Sequence, residues 1–548
     1  MIERRQLLAQ AAALAGASLL PGASTSAVAA TRIADYPFTL GVASGEPTPD
    51  GMVLWTRLAP RPLDPDGGMP QQPVAVTWEV AEDAALRRIV AKGTARAAPG
   101  SAHAVHVEVG GLKPDRVYWY RFTAAGHASP TGRTRTTPTF DARPQRLRIA
   151  YGSCQKYEAG YWSAYDALVA DAPDLVLFLG DYIYEGATGK NTVRPHPPVE
   201  AHDLATYRTR YGLYKSDPKL QAAHAAAPWM VIWDDHEVDN DYGLDQDRSN
   251  PDPALFLSRR AAAYQAYYEH MPLRRTAGPV GPNMQIYRAL NWGQLAQFQF
   301  LDTRQYRNRR TCDALSEGKS IPDCPQRDDP ARSMLGMPQE AWLMKTLAAT
   351  TAQWNLLAQQ YQMGELKRYR PELRYSNDGW DGYPACRQRI EDQWIKARVS
   401  NPIVLGGDIH CFIADELGSD PDRPVASAFV GGSISSLGAG RADLDKLAAA
   451  NPHLRFTEGE KRGYGRVDLT AKGCDVTFRA VENALVQQSP ASIWRSSTSR
   501  RAEGGCTKHD FAGRNPGPCG PCGPCRVAGR RPGDAAGRTR PPLRGGRS

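Results

Sequence analysis

No apolar run in the chain reaches the roughly 18 residues needed to span a bilayer; the longest candidate is the interrupted stretch from Leu7 to Leu20. A polytopic membrane protein is therefore excluded. A basic body is missing too. The formal net charge is +9 over 548 residues, but the last 54 residues, from Arg495 onward, hold eleven Arg and one Lys against Glu503, Asp510 and Asp534, so the preceding 494 residues sum to zero. Phosphate-backbone affinity needs cations clustered on a folded surface, so no nucleic-acid partner is expected. The G-x-S-x-G elbow of serine hydrolases is absent: GVASGE places Ser44 one position late and GGSISS lacks the final glycine. The Walker spacing is absent as well, because GATGKN (Gly186 to Asn191) is two residues short. Cysteine is scarce in the body, with only Cys154, Cys312, Cys324, Cys386, Cys411 and Cys474 before the tail. Of these, Cys312 and Cys324 bracket a short polar loop that a disulfide can staple outside the cytoplasm.

What remains is an ordinary globular composition, 41% hydrophobic and 23% charged, with 50 Gly and 43 Pro that point to numerous loops. Residues 1–30 read as a twin-arginine export signal: Arg4 and Arg5 precede Gln6, Leu7 and Leu8, and Ala27-Val28-Ala29 offers a small-residue cleavage pattern. A periplasmic or extracellular location and the twin-arginine export machinery as a partner are expected. Residues 31–140 are patterned as an all-β unit, since AVTWEV, AVHVEV and VYWYRF alternate with period two between turn-rich segments such as GGLKPD. A small β-sandwich suits them. His103 and His106, three apart, are expected to point opposite ways on a strand and to carry no chemistry. Residues 141–488 switch to buried-strand runs (LRIAYGSC, DLVLFLGD, WMVIWDD, AQFQFLDTR, NLLAQQ, PIVLGGD) interleaved with helical spacing (WSAYDALVAD, SRRAAAYQAYYEHM, PQEAWLMKTLAATTAQW). That pattern predicts a layered α/β domain. Residues 489–548 are basic and rich in Gly, Pro and Arg, and a disordered tail is expected there. Its CGPCGPC run (Cys519, Cys522, Cys525) lacks the context of a redox or metal motif.

The apolar runs carry chemistry at their carboxyl ends. One ends in Gly152-Ser153-Cys154, another in Gly180-Asp181-Tyr182-Ile183-Tyr184, another in Asp234-Asp235-His236-Glu237, another in Asp302-Thr303-Arg304, and the last in Gly406-Gly407-Asp408-Ile409-His410. Ligands of α/β sheets bind outside strand carboxyl ends, so these five groups are expected to converge. Asp181, Asp235 and Asp408 offer carboxylates, His236 and His410 imidazoles, Tyr184 a phenolate and Cys154 a thiolate, a set suited to a high-charge cation such as ferric iron beside an oxygen-preferring divalent ion. Two adjacent metals can generate hydroxide and clamp the entering and leaving oxygens of a phosphoryl group. Phosphoester hydrolysis is the expected reaction.

On these motifs the chain resembles the PhoD-like alkaline phosphatases, within the calcineurin-like metallophosphoesterase and purple acid phosphatase group. The resemblance rests on FTLGVASGEP and VLWTRLAP, then GSCQ, DLVLFLGDYIYE, VIWDDHEVDNDY, LDTRQYR, QWNLLAQQ, DGWDGYPACRQR and VLGGDIH, in order over Phe38 to Glu482. It implies an αββα metallophosphoesterase sandwich behind the small β-sandwich, with iron and one or two calcium ions as cofactors. Asp181 would bridge the metals, Tyr184 and Cys154 would bind iron, Asp235 and Asp408 would bind the second metal, His410 would lie near the iron and His236 over the substrate phosphate. Asn240 and Gln360 stand where a neutral oxygen can complete a calcium shell, and Arg304 where a guanidinium can clamp a phosphate oxygen or pair with Asp302. Asp234 is read as orienting His236, and Cys411 as a small core residue.

The expected mechanism is single in-line attack by a metal-bound hydroxide on a small phosphomonoester, with His236 serving the leaving side and no phosphoenzyme. A monomer without a membrane span is expected. The competing readings are a diesterase or phospholipase-like enzyme on the same site, and a phosphate-ester binding protein without catalysis. The N-terminal sandwich is either an appended sugar or protein binder or a wall of the cleft.

Overall fold

The computed structural model describes residues 33–190, 192–246, 252–315, 320–369, 372–418, 420, 423–500 and 508–512. Six of the apolar runs form its central strands. Arg146–Gly152, Leu175–Phe178 and Pro228–Val231 lie parallel in one sheet, and Ala296–Phe300, Trp354–Ala358 and Pro402–Gly406 lie parallel in a second. Every residue of Leu175–Phe178, Pro228–Val231, Trp354–Ala358 and Pro402–Gly406 is buried, as strands covered on both faces require.

The period of two sorts their side chains between layers. Leu356, Ala358, Ile403, Leu405 and Phe429 join Ile149, Leu177 and Met230 in the core shared by the two sheets, whereas Leu357, Val404 and Ala428 join Leu343, Leu347, Ile390 and Trp394. The last four belong to helices Gly336–Ala349 and Pro384–Lys396. Helices Ala164–Ala170, Leu204–Lys215, Pro218–Ala226 and Pro253–His270 pack on the first sheet through Tyr165, Tyr211, Leu220 and Tyr264. The result is the α/β four-layer order expected from the resemblance. Local chemistry starts three of these helices. Asp203 accepts from Thr206 N at 2.8 Å while Thr206 Oγ1 accepts from Asp203 N at 3.1 Å, a capping box. Asp217 and Asp252 cap helices whose first residue is Pro218 or Pro253, where a missing N–H costs nothing.

The N-terminal strands form an all-β sandwich with one shared wall. Ile89–Ala97, Val74–Ala81 and Val117–Ala124 pair with one another in a sheet of their own. Val42–Thr48, Gly51–Arg57 and Ala104–Val109 instead extend the first catalytic sheet, because Val42–Thr48 pairs parallel with Pro228–Val231. Val42, Leu54 and Val107 from that extension pack against Val76, Val80, Tyr120 and Phe122. His103 lies in a left-handed turn just before the Ala104–Val109 strand and is buried, and His106 on that strand bonds the carbonyls of Tyr268 and Met271 at 3.0 and 2.9 Å. Both are structural.

The stretch expected to lose order at 489 continues the sheet. Ala491–Arg500 pairs antiparallel with Gly473–Val481, and Lys508–Ala512 pairs with Ala491–Arg500. The export leader expected at 1–30 and the CGPCGPC run lie outside the described residues. Cys312 and Cys324 are disulfide-bonded, and the thiols of Cys154, Cys386, Cys411 and Cys474 are free and buried. Among the described residues no helix is long and apolar enough to cross a membrane.

Candidate metal centre

Both sheets deliver their carboxyl ends to one place. Cys154 lies just beyond Arg146–Gly152, Asp181 and Tyr184 beyond Leu175–Phe178, Asp235 and His236 beyond Pro228–Val231, and Asp408 and His410 beyond Pro402–Gly406. The turns are tight. Cys154, Asp181, Asp408 and His410 all hold left-handed φ between 56° and 64°, a conformation that non-glycine residues adopt at a cost and that concentrates at functional sites. Gly180, at φ 111°, lets the Asp181 turn lie against Asp234, whose Cβ would stand 2.5 Å from any Cβ added there.

Ligating atoms crowd together. Cys154, Asp181 and His410 form one group whose atoms lie within 4.8 Å of one another; Asp181, Asp235 and His236 form a second, Asp234, Asp235 and Asp408 a third, and Asp235, Asp241 and Asp378 a fourth. Asp181 and Asp235 are each shared between groups. Tyr184 Oη donates to Asp181 Oδ2 at 2.8 Å and lies 3.2 Å from His410 Nε2 and 2.7 Å from Ser436 Oγ.

This donor set fits metal ions. Burial, and next the charge of Asp181, pushes the Cys154 thiol and the Tyr184 phenol well above their ordinary pKa values. Burial chiefly does the same to the carboxyls of Asp234 and Asp408, to which Asp235 and Asp181 add. Acids that cannot ionise together in a cation-free pocket, Cys154, Tyr184 and Asp408 among them, would become anionic ligands once cations neutralise them. Asp181 Oδ1 is buried without a hydrogen-bond partner, as suits an oxygen awaiting a cation.

The remaining polar groups hold this set in place. His236 Nδ1 lies 2.7 Å from Glu185 Oε2, and the same carboxylate accepts from Asn240 N at 2.8 Å. Burial opposes an imidazolium, but Glu185, Asp235 and Asp181 outweigh it and keep the His236 pKa well above its usual value. Glu237 accepts from the backbone N–H groups of Asp181 at 3.1 Å, Asp234 at 2.8 Å and Tyr182, tying two strand ends together. Asp378 accepts from Arg304 at 2.9 Å, Arg307 at 2.8 Å and Tyr361 Oη at 2.8 Å. Glu185, Glu237 and Asp378 all sit inside motifs quoted above, but a motif does not say which of its acids face the ligands. Ser436 lies far along the chain and gives no sequence signal.

Two expected roles change, those of Arg304 and Asp234. Arg304 is fully buried, with Nε 2.6 Å from Asp234 Oδ1, Nη1 2.9 Å from Asp378 and Nη2 3.4 Å from Asp235. Its guanidinium is consumed by three carboxylates, so it anchors the acidic cluster instead of clamping phosphate, and Asp302 touches it through the backbone N–H. Gln360 Oε1 accepts from Thr303 Oγ1 at 2.8 Å and its amide donates to Trp233 O at 2.6 Å and Leu301 O at 3.0 Å. Both ends of its side chain are engaged in tying strands, and Oε1, which accepts only this one bond, keeps a second lone pair. Asp234 pairs with Arg304, and Glu185 is the residue that orients His236. Cys411 packs with Ile413, Val430 and Leu444, in keeping with a core residue.

A model of the PhoD-like phosphatases matches residues 149–478, and one of the PhoD-like phosphatase N-terminal domain matches residues 23–138. Alkaline phosphatase D of Bacillus subtilis (strain 168) is 44% identical over 497 residues, covering 87% of this chain and 84% of the relative. A solved structure of PhoD aligns with a TM-score of 0.84 at 42% identity, covering 88% of this chain and 94% of that chain.

Proposed function

The chain belongs to the PhoD-like phosphatase family, and from that premise we propose that it is an exported phosphatase that releases inorganic phosphate from small phosphomonoesters by direct in-line displacement. Phosphoric ester hydrolysis itself follows from the family. The observation that carries the two-metal reading is the sharing of Asp181 between the Cys154/His410 group and the Asp235/His236 group.

Cys154, Tyr184 and His410 would hold ferric iron, matching thiolate, phenolate and imidazole to a high-charge ion. Asp235 and Asp408, with Asn240 completing the shell, would hold calcium, and Asp181 would bridge. Bound there, the ions would neutralise charge on the transferring phosphoryl group and lower the pKa of water.

The chain's own residues do the rest. Glu185 engages His236 Nδ1, which leaves Nε2 of a partly exposed imidazolium to hydrogen-bond the phosphoryl and protonate the leaving oxygen. Arg304 fixes Asp234 and Asp235, so the cluster does not reorganise during turnover. Ser436 Oγ, beside the ligands, is engaged by Tyr184 Oη and the Cys154 carbonyl, which supports attack by water over attack by this hydroxyl. Arg4-Arg5 in the leader and the Cys312–Cys324 disulfide support export to an oxidising compartment.

Steady-state rates on matched phosphomonoesters and diesters, with acid-quench trapping during turnover, test the reading. Faster monoester hydrolysis with no phosphorylated side chain is expected. A phosphorylated Ser, Thr or His overturns direct displacement, faster diester hydrolysis establishes the diesterase, and ester binding without turnover at saturating iron and calcium establishes the binding protein.

A further inference from the structure

We propose that Lys156 is a specificity-determining residue that favours phosphoesters carrying a second anionic group beside the phosphoryl group to be transferred. The inference rests on the phosphatase reading above.

Lys156 follows Cys154 by two residues, and its backbone is fixed to the site. Its N–H donates to Ser436 Oγ at 3.3 Å and its carbonyl accepts from Ser435 Oγ at 2.8 Å. The side chain therefore starts from a defined point and carries Nζ to 5.6 Å from the centroid of the Tyr184 ring, whose hydroxyl touches Asp181 and His410. The other cations placed against site residues are spent. Arg304 and Arg307 are fully buried on Asp234 and Asp378, Arg310 is nearly so on Asp378, and buried Arg210 binds the carbonyls of Tyr184, Gly186 and Val199. Lys156 alone among these five keeps a substantially reachable side chain, 37% exposed.

Its counter-ion leaves it available. Glu158 Oε1 lies 3.1 Å from Nζ, but this carboxylate is almost wholly buried and its other oxygen accepts from Gly189 N at 2.9 Å. The pair is open to solvent on the lysine side only, so an incoming anion can share the ammonium. Glu158 also fixes the chain after Tyr184, because its carbonyl accepts from Val193 N at 2.8 Å, while the Arg194 guanidinium stacks 3.8 Å from the Tyr157 ring. Lys156 thus lies beside the Tyr184 ring, with its counter-ion Glu158 tied to Gly189. A carboxylate or second phosphate on the leaving group would meet it on leaving the strongly acidic centre.

The test compares phenyl phosphate with 4-carboxyphenyl phosphate on the metal-loaded full chain. Lys156→Ala is expected to raise KM for 4-carboxyphenyl phosphate about fivefold with kcat held, and to change phenyl phosphate by less than about twofold, within the spread of a neutral surface substitution. Lys156→Arg should restore the preference, and added salt should erode it in the wild type only. Glu158→Gln frees the ammonium and should lower KM for the carboxylated ester. Equal losses on both substrates from Lys156→Ala, matched by Glu158→Gln, would mark a loop anchor and overturn the proposal. Turnover of both esters without any charge preference overturns it alone, whereas no turnover of either by the wild type overturns the phosphatase reading beneath it.

Discussion

Glu185 Oε2 lies 2.7 Å from His236 Nδ1 and Glu185 Oε1 accepts from Asn240 N at 2.8 Å, so one buried carboxylate sets both the ring orientation of the partly exposed histidine and the path of the chain that follows it. Partners of this kind, one bond removed from the reacting atoms, typically contribute 10- to 100-fold to activity. Glu185→Gln is therefore expected to lower kcat by about 10- to 100-fold, with KM moving less, because the imidazolium loses its main charge partner while the ligand cluster stays intact. Steady-state kinetics at constant metal content checks this. An unchanged kcat would show that His236 is oriented by something else.

Arg304 touches Asp234, Asp235 and Asp378 from a fully buried position. Removing one partner of a buried charge network leaves the others uncompensated, at a cost of about 3–5 kcal/mol. Arg304→Met should lower unfolding stability by that amount in denaturant titration of the metal-free protein. A loss of activity without loss of stability would instead restore the phosphate-clamp reading.

Lys215 is buried between Trp55, 4.2 Å from Nζ to the ring centroid, and Tyr182 at 5.4 Å. Burial lowers its pKa to about 7, and a cation–π attraction of roughly 2 kcal/mol is too small to reverse that. The unfolded lysine titrates near its ordinary value of about 10.4, so between pH 7 and 10 the unfolded state binds more protons and stability rises with pH. Below pH 7 both states are protonated and the penalty is constant. From pH 7 to 9 the lysine contributes about 2 kcal/mol of added stability. Wild type minus Lys215→Met, followed by denaturant titration across that range, should show this slope; a flat difference would place the pKa near its usual value.

The N-terminal sandwich shares its wall with the catalytic sheet through the register Ser44 to Pro228 and Gly45 to Trp229. Deleting residues 36–138 would turn the fully buried Pro228–Val231 strand into an open apolar edge, which invites edge-to-edge association. The remaining chain is expected in the insoluble fraction on expression. A soluble, active remainder would favour an appended binding module.

The strand ends were legible because buried strands read as short apolar runs and their polar terminators stand out against them. Cys154, Asp181, Tyr184, Asp235, His236, Asp408 and His410 are such terminators, and the structure brings all seven together. The carboxylate network around Arg304 is not legible in the sequence, because its partners Asp234 and Asp378 lie about 70 residues away on either side, a separation at which periodicity says nothing. The same holds for the pairing of Val42–Thr48 with Pro228–Val231, whose parallel register spans well over a hundred residues. The Ala491–Arg500 strand is hidden differently: ASIWRSSTSR carries strand formers in Ile493, Trp494 and Thr498, but the Gly/Pro-rich residues that follow it dominate the composition of the segment. Glu185 and Asp378 sat within recognised motifs, and only three-dimensional neighbours separate an acid that binds from one that positions.

The most direct test of a two-metal site shared through Asp181 is elemental analysis of the purified full chain beside an Asp181→Asn variant, with phosphomonoesterase rates before and after calcium chelation. Stoichiometric iron with calcium in the wild type, loss of both metals and of activity in Asp181→Asn, and recovery of chelated wild type on adding calcium are expected. A wild-type protein that hydrolyses phosphomonoesters while free of metal, or an Asp181→Asn variant that keeps both metals and full rate, would contradict it.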